Sequence, residues 1–200
     1  GHHGHGHHGH GHHGHGHHSS LKMKFVDLSS DKQTEIQKSF DEFKANNDKK
    51  YNSSSEETQR KDIFAENYLI IQQNNTSNTI NQMQINKYSD LSIEELYRNL
   101  GFDRGFKKVI KHLPKEKKFE IKTAFLNFKK ENNRLYSSFA EDKIRFAIFA
   151  KNFLEVEEHN KSDSTYKMGI NQFSDMTEKE FKSTMLGGLR TKDIPSETEM

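Results

Sequence analysis

The chain has 200 residues in which 31 Lys and Arg nearly balance 29 Asp and Glu, and the two signs are interspersed. That balance predicts no pull toward nucleic acid, and no apolar run approaches the ~18 residues of a membrane span, so neither is an expected partner. The complete absence of Cys excludes disulfides, Cys-ligated zinc and a thiol nucleophile together, so no enzyme activity is expected of these residues.

Residues 1–20 differ in kind from the rest: the pentad Gly-His-His-Gly-His occurs three times, and Gly16-His17-His18-Ser19-Ser20 follows. With no apolar side chain to bury, ordering this tail would cost ~1–2 kcal/mol per residue unopposed, so it is expected to stay disordered. Neutral imidazoles, beginning with His2, His3, His5, His7 and His8, would take up Ni²⁺, Cu²⁺ or Zn²⁺ adventitiously. A purification tag and a natural metal-binding tail share this pattern. His112 and His159 stand alone, so no cofactor and no metal site is expected in the folded part. Met does not open the chain, so a processed chain or a fragment is expected.

Beyond the tail the core currency is Phe (15 copies, no Trp), with two Pro and few Gly, which favours helices. A first helix is predicted over 31–46, where Ile36, Phe40 and Phe43 make one apolar stripe and Ser30 with Gln33 fits a capping box. A longer second helix begins at Ser53-x-x-Glu56, with Glu56 four residues before Arg60 in the order that favours an ion pair. Glu56, Arg60, Ile63, Phe64, Asn67, Ile71 and Asn75 advance by about one turn each along a single face. Arg and Asn among Ile and Phe imply specific polar partners across the helix pair. Thr79 to Ile85 reads as a poor strand; Asn86-Lys-Tyr88-Ser-Asp90 and a short third helix capped by Ser92 and Glu95 follow.

The same order then returns 85 positions on, without slippage. Pro114 opens a helix to about 132 with Ile121, Phe125 and Phe128, and Ser138-x-x-Glu141 opens the next. Its face carries Glu141, Arg145, Ile148, Phe149, Asn152, Val156 and Asn160. A strand is predicted at Thr165 to Ile170, followed by Gly169-x-Asn171-x-Phe173-x-Asp175 and a third helix capped by Thr177 and Glu180. A register held this long means two copies of one folded unit. The fold class is mainly α, in two tandem small globules, each with two antiparallel or crossing helices, a short strand and a short third helix. The expected boundaries are tail 1–20, first unit 21–104, linker 105–118 running into the second unit at 114–190, and a flexible C-terminus 191–200. The basic run Lys107 to Lys118 is read as solvated linker.

The seven spaced positions resemble the ERFNIN pattern of cathepsin L-type propeptides, complete in both copies. The second turn carries the accompanying Gly-Asn-Phe-Asp pattern whole; in the first, Gln84 and Tyr88 replace Gly and Phe. The resemblance, to the cathepsin propeptide inhibitor domains, covers about 31–102 and 116–188. It implies a small helical globule that docks on a papain-like cysteine protease, with the segment after the third helix crossing the active-site cleft in the direction opposite to substrate. Asp90 and Asp175 are then expected to pair with Arg60 and Arg145, with Asn86, Gly169 and Asn171 as scaffold. An Asp held by Arg would loosen in acid, and Gln84 would strain its turn and weaken the first unit.

Protease contact is expected from Tyr88, Leu96, Leu100, Gly101 and Phe102 in the first unit. In the second it is expected from Phe173, Phe181, Met185, Leu186, Gly187, Gly188 and Leu189. By residue chemistry alone, both trailing segments fit equally well a helix C-cap and flexible linker. The function expected is tandem inhibition of cathepsin L-type proteases by a monomer that is secreted or endo-lysosomal. Two alternatives are the prosegment of a longer zymogen and a His-rich metal-binding or structural protein.

Overall fold

A computed structural model describes residues 23–162 and 165–192, with 187–192 as backbone only. The helices in it are α1 (Ser30–Asn46), α2 (Ser54–Ser77), α3 (Ile93–Leu100), α4 (Phe106–Lys111), α5 (Lys115–Glu131), α6 (Phe139–Lys161) and α7 (Glu178–Lys192). A 3-10 turn at Phe25–Asp27 precedes them. Among the described residues there is no strand.

The helix starts follow their caps. Ser29, not Ser30, caps α1 by accepting from the Lys32 N–H, and the Gln33 amide instead donates to the carbonyls of Val26 and Leu28. Pro114 occupies the cap of α5 rather than its first turn. Ser53 and Ser138 accept from the N–H groups of Glu56 and Glu141, as the spacing predicts. The Glu side chains reach back one residue further than a capping box requires, to the N–H groups of Asn52 and Ser137.

Each helix pair closes on an aromatic cluster. Phe40 and Phe43 of α1 lie 5.3 and 5.0 Å from Phe64 of α2, ring centre to ring centre. Phe125 and Phe128 of α5 stand 5.3 and 5.2 Å from Phe149 of α6. Tyr51 and Tyr136 stack on the outer Phe at 6.2 Å in both copies. Full burial of each Phe contributes roughly 1.5–3 kcal/mol, so these rings hold the pairs together.

The expected strands do not form, and the reason is local. The N–H of Met83 donates to Asn75 Oδ1 at 2.8 Å and its carbonyl accepts from Asn75 Nδ2 at 2.7 Å. Met168 makes the same two bonds with Asn160, both 2.8 Å. An Asn amide therefore does for each return segment what a neighbouring strand would do. Among the described residues a single backbone bond joins the two halves here, Gln84 N–H to the Tyr136 carbonyl at 3.0 Å, too little for a ladder.

The linker also departs from expectation, because α4 lies inside it and packs on α6. Ile110 and Leu113 join the second aromatic core. The halves meet in a third cluster, where Leu96, Tyr97 and Leu100 of α3 lie against Ile144 and Ile148 of α6.

The Asn staples generate a prediction. Met83 is buried whereas Met168 is exposed. Asn75→Ala leaves buried backbone groups unpaired and should cost about 1–3 kcal/mol in urea unfolding of the full chain. Asn160→Ala should cost less than half as much, because water can replace its bonds. Equal losses would show that burial does not set the cost.

Candidate functional site

The site begins in the turn after each return segment. Asn86 Oδ1 accepts from the Tyr88 N–H at 2.9 Å, and Ser89 Oγ accepts from the Asn86 N–H at 3.0 Å. Asn171, Phe173 and Ser174 repeat this, both bonds at 2.9 Å. Asn67 of α2 and Asn152 of α6 then donate to the carbonyls of Ser89 and Ser174, each at 2.8 Å. A turn tied to itself and to a long helix presents its central aromatic in a fixed pose.

Arginine fastens the end of the turn, though not as an Asp–Arg carboxylate pair. Arg60 Nη1 donates to the main-chain carbonyl of Asp90 at 3.0 Å, and its guanidinium forks onto Glu95 at 2.7 and 2.6 Å. Arg145 Nη1 reaches the Asp175 carbonyl at 3.0 Å and Glu180 at 2.6 Å, while its Nε faces Glu141 at 3.2 Å. The Asp carboxylates point the other way. Asp90 accepts from Tyr51 at 2.9 Å and Lys49 at 3.2 Å. Asp175 accepts from Tyr136 at 2.9 Å. Arg134 Nε lies 3.1 Å from its Oδ2 without hydrogen-bond alignment, and Asp175 Oδ1 is buried without a partner.

The sequence reading missed Glu95 and Glu180 as the true arginine partners, although both recur at the same offset and sit at helix caps. In both caps the side chain also accepts from the cap residue's own N–H, at 3.0 Å for Ser92 and 3.1 Å for Thr177. One carboxylate therefore closes a helix and holds the arginine together.

The charges follow from these partners. Arg60, then the Ser92 cap, outweigh burial and hold the Glu95 carboxyl down at about 2. Burial works against the Arg145 charge, but the Glu180 and Glu141 carboxylates outweigh it and hold the guanidinium protonated. Burial pushes the Asp175 carboxyl up, and Arg134 and Tyr136 only partly offset it. This reverses the expected acid loosening at Asp175. A raised folded pKa means the folded chain takes the proton first, so falling pH relieves a penalty at this residue.

The two copies treat the expected contact residues differently. In the second, Phe173 meets Phe181 edge-on at 5.2 Å, and Phe181, Met185 and Leu186 stand exposed along α7. Met168 and Ile170 are exposed just before them. In the first, Leu96 and Leu100 are buried against α6, and the half-buried Tyr88 donates its hydroxyl to Glu180 at 3.0 Å. Gly101 is the left-handed C-cap of α3, with φ +66°, and Phe102 packs on Tyr97 at 6.4 Å. The first trailing segment is thus the helix cap and connection that residue chemistry alone allowed.

Gln84 does not strain its turn: among the described residues Gly101 is the one glycine at positive φ, and Asp48 and Asn133 are the other positive-φ positions. A Cβ on Gly169 would meet nothing within 4 Å. The second trailing segment continues α7 through Gly187 and Gly188 to Lys192 instead of running extended. The Leu189 side chain, the His tail and residues 193–200 lie outside the described residues. No group of His, Asp or Glu among the described residues is placed to hold a metal.

Thermal unfolding of the full chain against pH checks these charges. The melting-temperature deficit of Glu95→Gln should be full above the ordinary Glu value of 4.5 and shrink as pH falls toward about 2. Wild type should gain on Asp175→Asn as pH falls from neutrality toward 4. Parallel pH curves for wild type and either variant would contradict the corresponding assignment.

A family model described as the cathepsin propeptide inhibitor domain (I29) matches residues 40–96 and again 125–181. The protein named "Cystein proteinase inhibitor protein salarin" from Salmo salar is 29% identical over 182 residues, covering 86% of this chain and 50% of salarin. Falcipain-3 of Plasmodium falciparum is 43% identical over 68 residues, 34% of this chain and 14% of its own length. A cathepsin L-like proteinase of Phaedon cochleariae is 41% identical over 64 residues, 30% of this chain and 20% of its own. The chain thus spans half the length of the salarin it matches, and no solved structure matches it. With two matches covering more than half of its residues, the chain belongs to the cathepsin propeptide inhibitor domain family and carries that domain in tandem.

Proposed function

We propose that the chain binds a papain-like cysteine protease of the cathepsin L type as a prosegment would, and so inhibits it in trans. One observation carries this: Phe181, Met185 and Leu186 stand exposed on α7 beside Phe173, whose turn is locked by Asn171, Ser174, Asn152 and Arg145. Apolar side chains held in a fixed pose lose little freedom on binding, which favours docking over mere stickiness. Salarin, by its name an inhibitor of cysteine proteinases, is similar to the present chain over 86% of its length. The chain acts as a protein ligand without a cofactor, in the secreted or endo-lysosomal setting where such proteases work.

In this reading the segment after α7's first turns enters the cleft antiparallel to substrate. It is helical in the free chain, so docking unwinds the last turns. Gly187 and Gly188 make that cheap, since each Gly weakens a helix by roughly 1 kcal/mol relative to Ala. A second reading is favoured by the matches to falcipain-3 and the Phaedon cochleariae proteinase, which span about one repeat inside much longer chains. There a single such unit lies within a longer chain, and a protease reading frame continuous with Met200 would identify that case here.

Titrating the purified chain into a cathepsin L-type enzyme tests the proposal. Progressive loss of peptidase activity is expected, and full activity at micromolar chain would overturn it. The double variant Gly187→Ala/Gly188→Ala should weaken inhibition about thirtyfold by stiffening the end of α7. An unchanged inhibition constant would mean that this segment stays helical and outside the cleft.

A further inference from the structure

We infer that the chain presents one protease-docking face rather than two, because the second repeat occupies the corresponding face of the first. The inference rests on the docking reading above and concerns which repeat performs it. Positions 85 apart occupy equivalent places in the two copies, so they can be compared directly. Leu96 is 4% exposed where Phe181 is 38%, Leu100 is 0% where Met185 is 47%, and Met83 is 7% where Met168 is 43%. In the first repeat Leu96 and Leu100 are covered by α6 of the second.

The cover is specific at the level of single bonds. Ile144 and Ile148 of α6 lie under Leu96, Tyr97 and Leu100. Asn86, a motif residue of the first repeat, donates to Glu141, a motif residue of the second, at 2.8 Å. The Tyr88 hydroxyl ends on Glu180, and the Arg145 guanidinium lies 5.7 Å from the Tyr88 ring. The Thr177 hydroxyl, at the start of α7, donates to the Leu100 carbonyl, and the Lys179 side chain lies over Gly101. The chain then turns into α4 and packs on α6, so the segment that would enter a cleft is committed to the seam.

The exposed α7 face is not a vacant copy of that seam. Lys182 stands where Tyr97 stands, is exposed, and pairs with Glu178 at 2.9 Å. A repeat packing there as the second packs on α3 would have to bury that ammonium and strip it of water. A second copy of the chain offering α2 to α7 would likewise present Gln59 in place of Ile144. The face left is apolar at Phe181, Met185 and Leu186 with charge on its flank, which suits a protease surface and suits a repeat poorly.

The test uses the full chain and an active-site-titrated cathepsin L-type enzyme. Inhibition should reach its endpoint at one chain per enzyme, and light scattering of the mixture in excess enzyme should give a complex with one of each. The variant Met185→Asp/Leu186→Asp changes two exposed side chains, should keep the wild-type melting curve, and should lose inhibition at least tenfold. An endpoint at two enzymes per chain overturns the inference and leaves the docking reading standing. So does inhibition that survives in this variant, since the first repeat would then be acting. A free chain that is dimeric in wild type and monomeric in the variant also overturns it, because the face would be self-pairing. No inhibition at any ratio overturns the docking reading itself and this inference with it.

Discussion

Each repeat faces one constraint that its helices do not: a single return segment must satisfy its backbone polar groups with no partner strand. The spaced polar residues of the long helix meet that demand. Asn75 and Asn160 bond both backbone groups of one residue, Asn67 and Asn152 take a carbonyl in the turn, and Arg60 and Arg145 take the last carbonyl. An unpaired buried backbone group costs about 1–3 kcal/mol, so losing one staple weakens the whole return path. The pattern of polar residues spaced along an otherwise apolar face is therefore a list of backbone groups, donors and acceptors, to be reached. The aromatic core fixes the helix pair; these polar residues fix everything attached to it.

The same staples behave differently in the two copies because one copy is covered and the other is not. Arg145 is buried and holds three partners, whereas Arg60 is half-buried and holds two. Asn86 and Tyr88 of the first repeat complete the surroundings of Glu141 and Arg145 in the second. The first repeat has thus become part of the support for the second. A charge network that is largely dry is stiffer than an exposed one, since water exchanges less readily for its partners.

Much of this architecture is legible in the residues, because helix periodicity and capping are local signals. The limits of α1 and α5 and the starts of α2 and α6 fall within a residue or two of those expected, and the Phe positions 40, 43, 125 and 128 are core, as their spacing implies. The strands were misread because alternating apolar residues at 165–170 look the same whether the partner is a strand or an Asn side chain. The arginine partner was misread because Asp90 and Glu95 are both acidic and close in sequence, and only geometry shows which oxygen, main-chain or carboxylate, is presented. The seam was least visible. Its signals are single differences between the copies, Ile144 for Gln59 and Lys182 for Tyr97, which a search for likeness passes over.

Those differences bear on how, in the proposed docking, a tandem chain binds through one repeat. In the proposed docking Phe173 and the first turns of α7 hold still, and every side chain immobilised beforehand removes part of the ordering cost of association. The second repeat gains that immobility from outside itself. Its long helix α6 is packed by α3 and α4 as well as by α5, whereas α2 has its strongest helix contacts with α1 and the short turn before it. Apolar cover on additional sides of α6 raises the cost of bending or fraying the element from which Asn152, Arg145 and Asn160 all project. The first repeat need not touch an enzyme to matter. By giving up its own open face, it makes the scaffold behind the other one harder to deform.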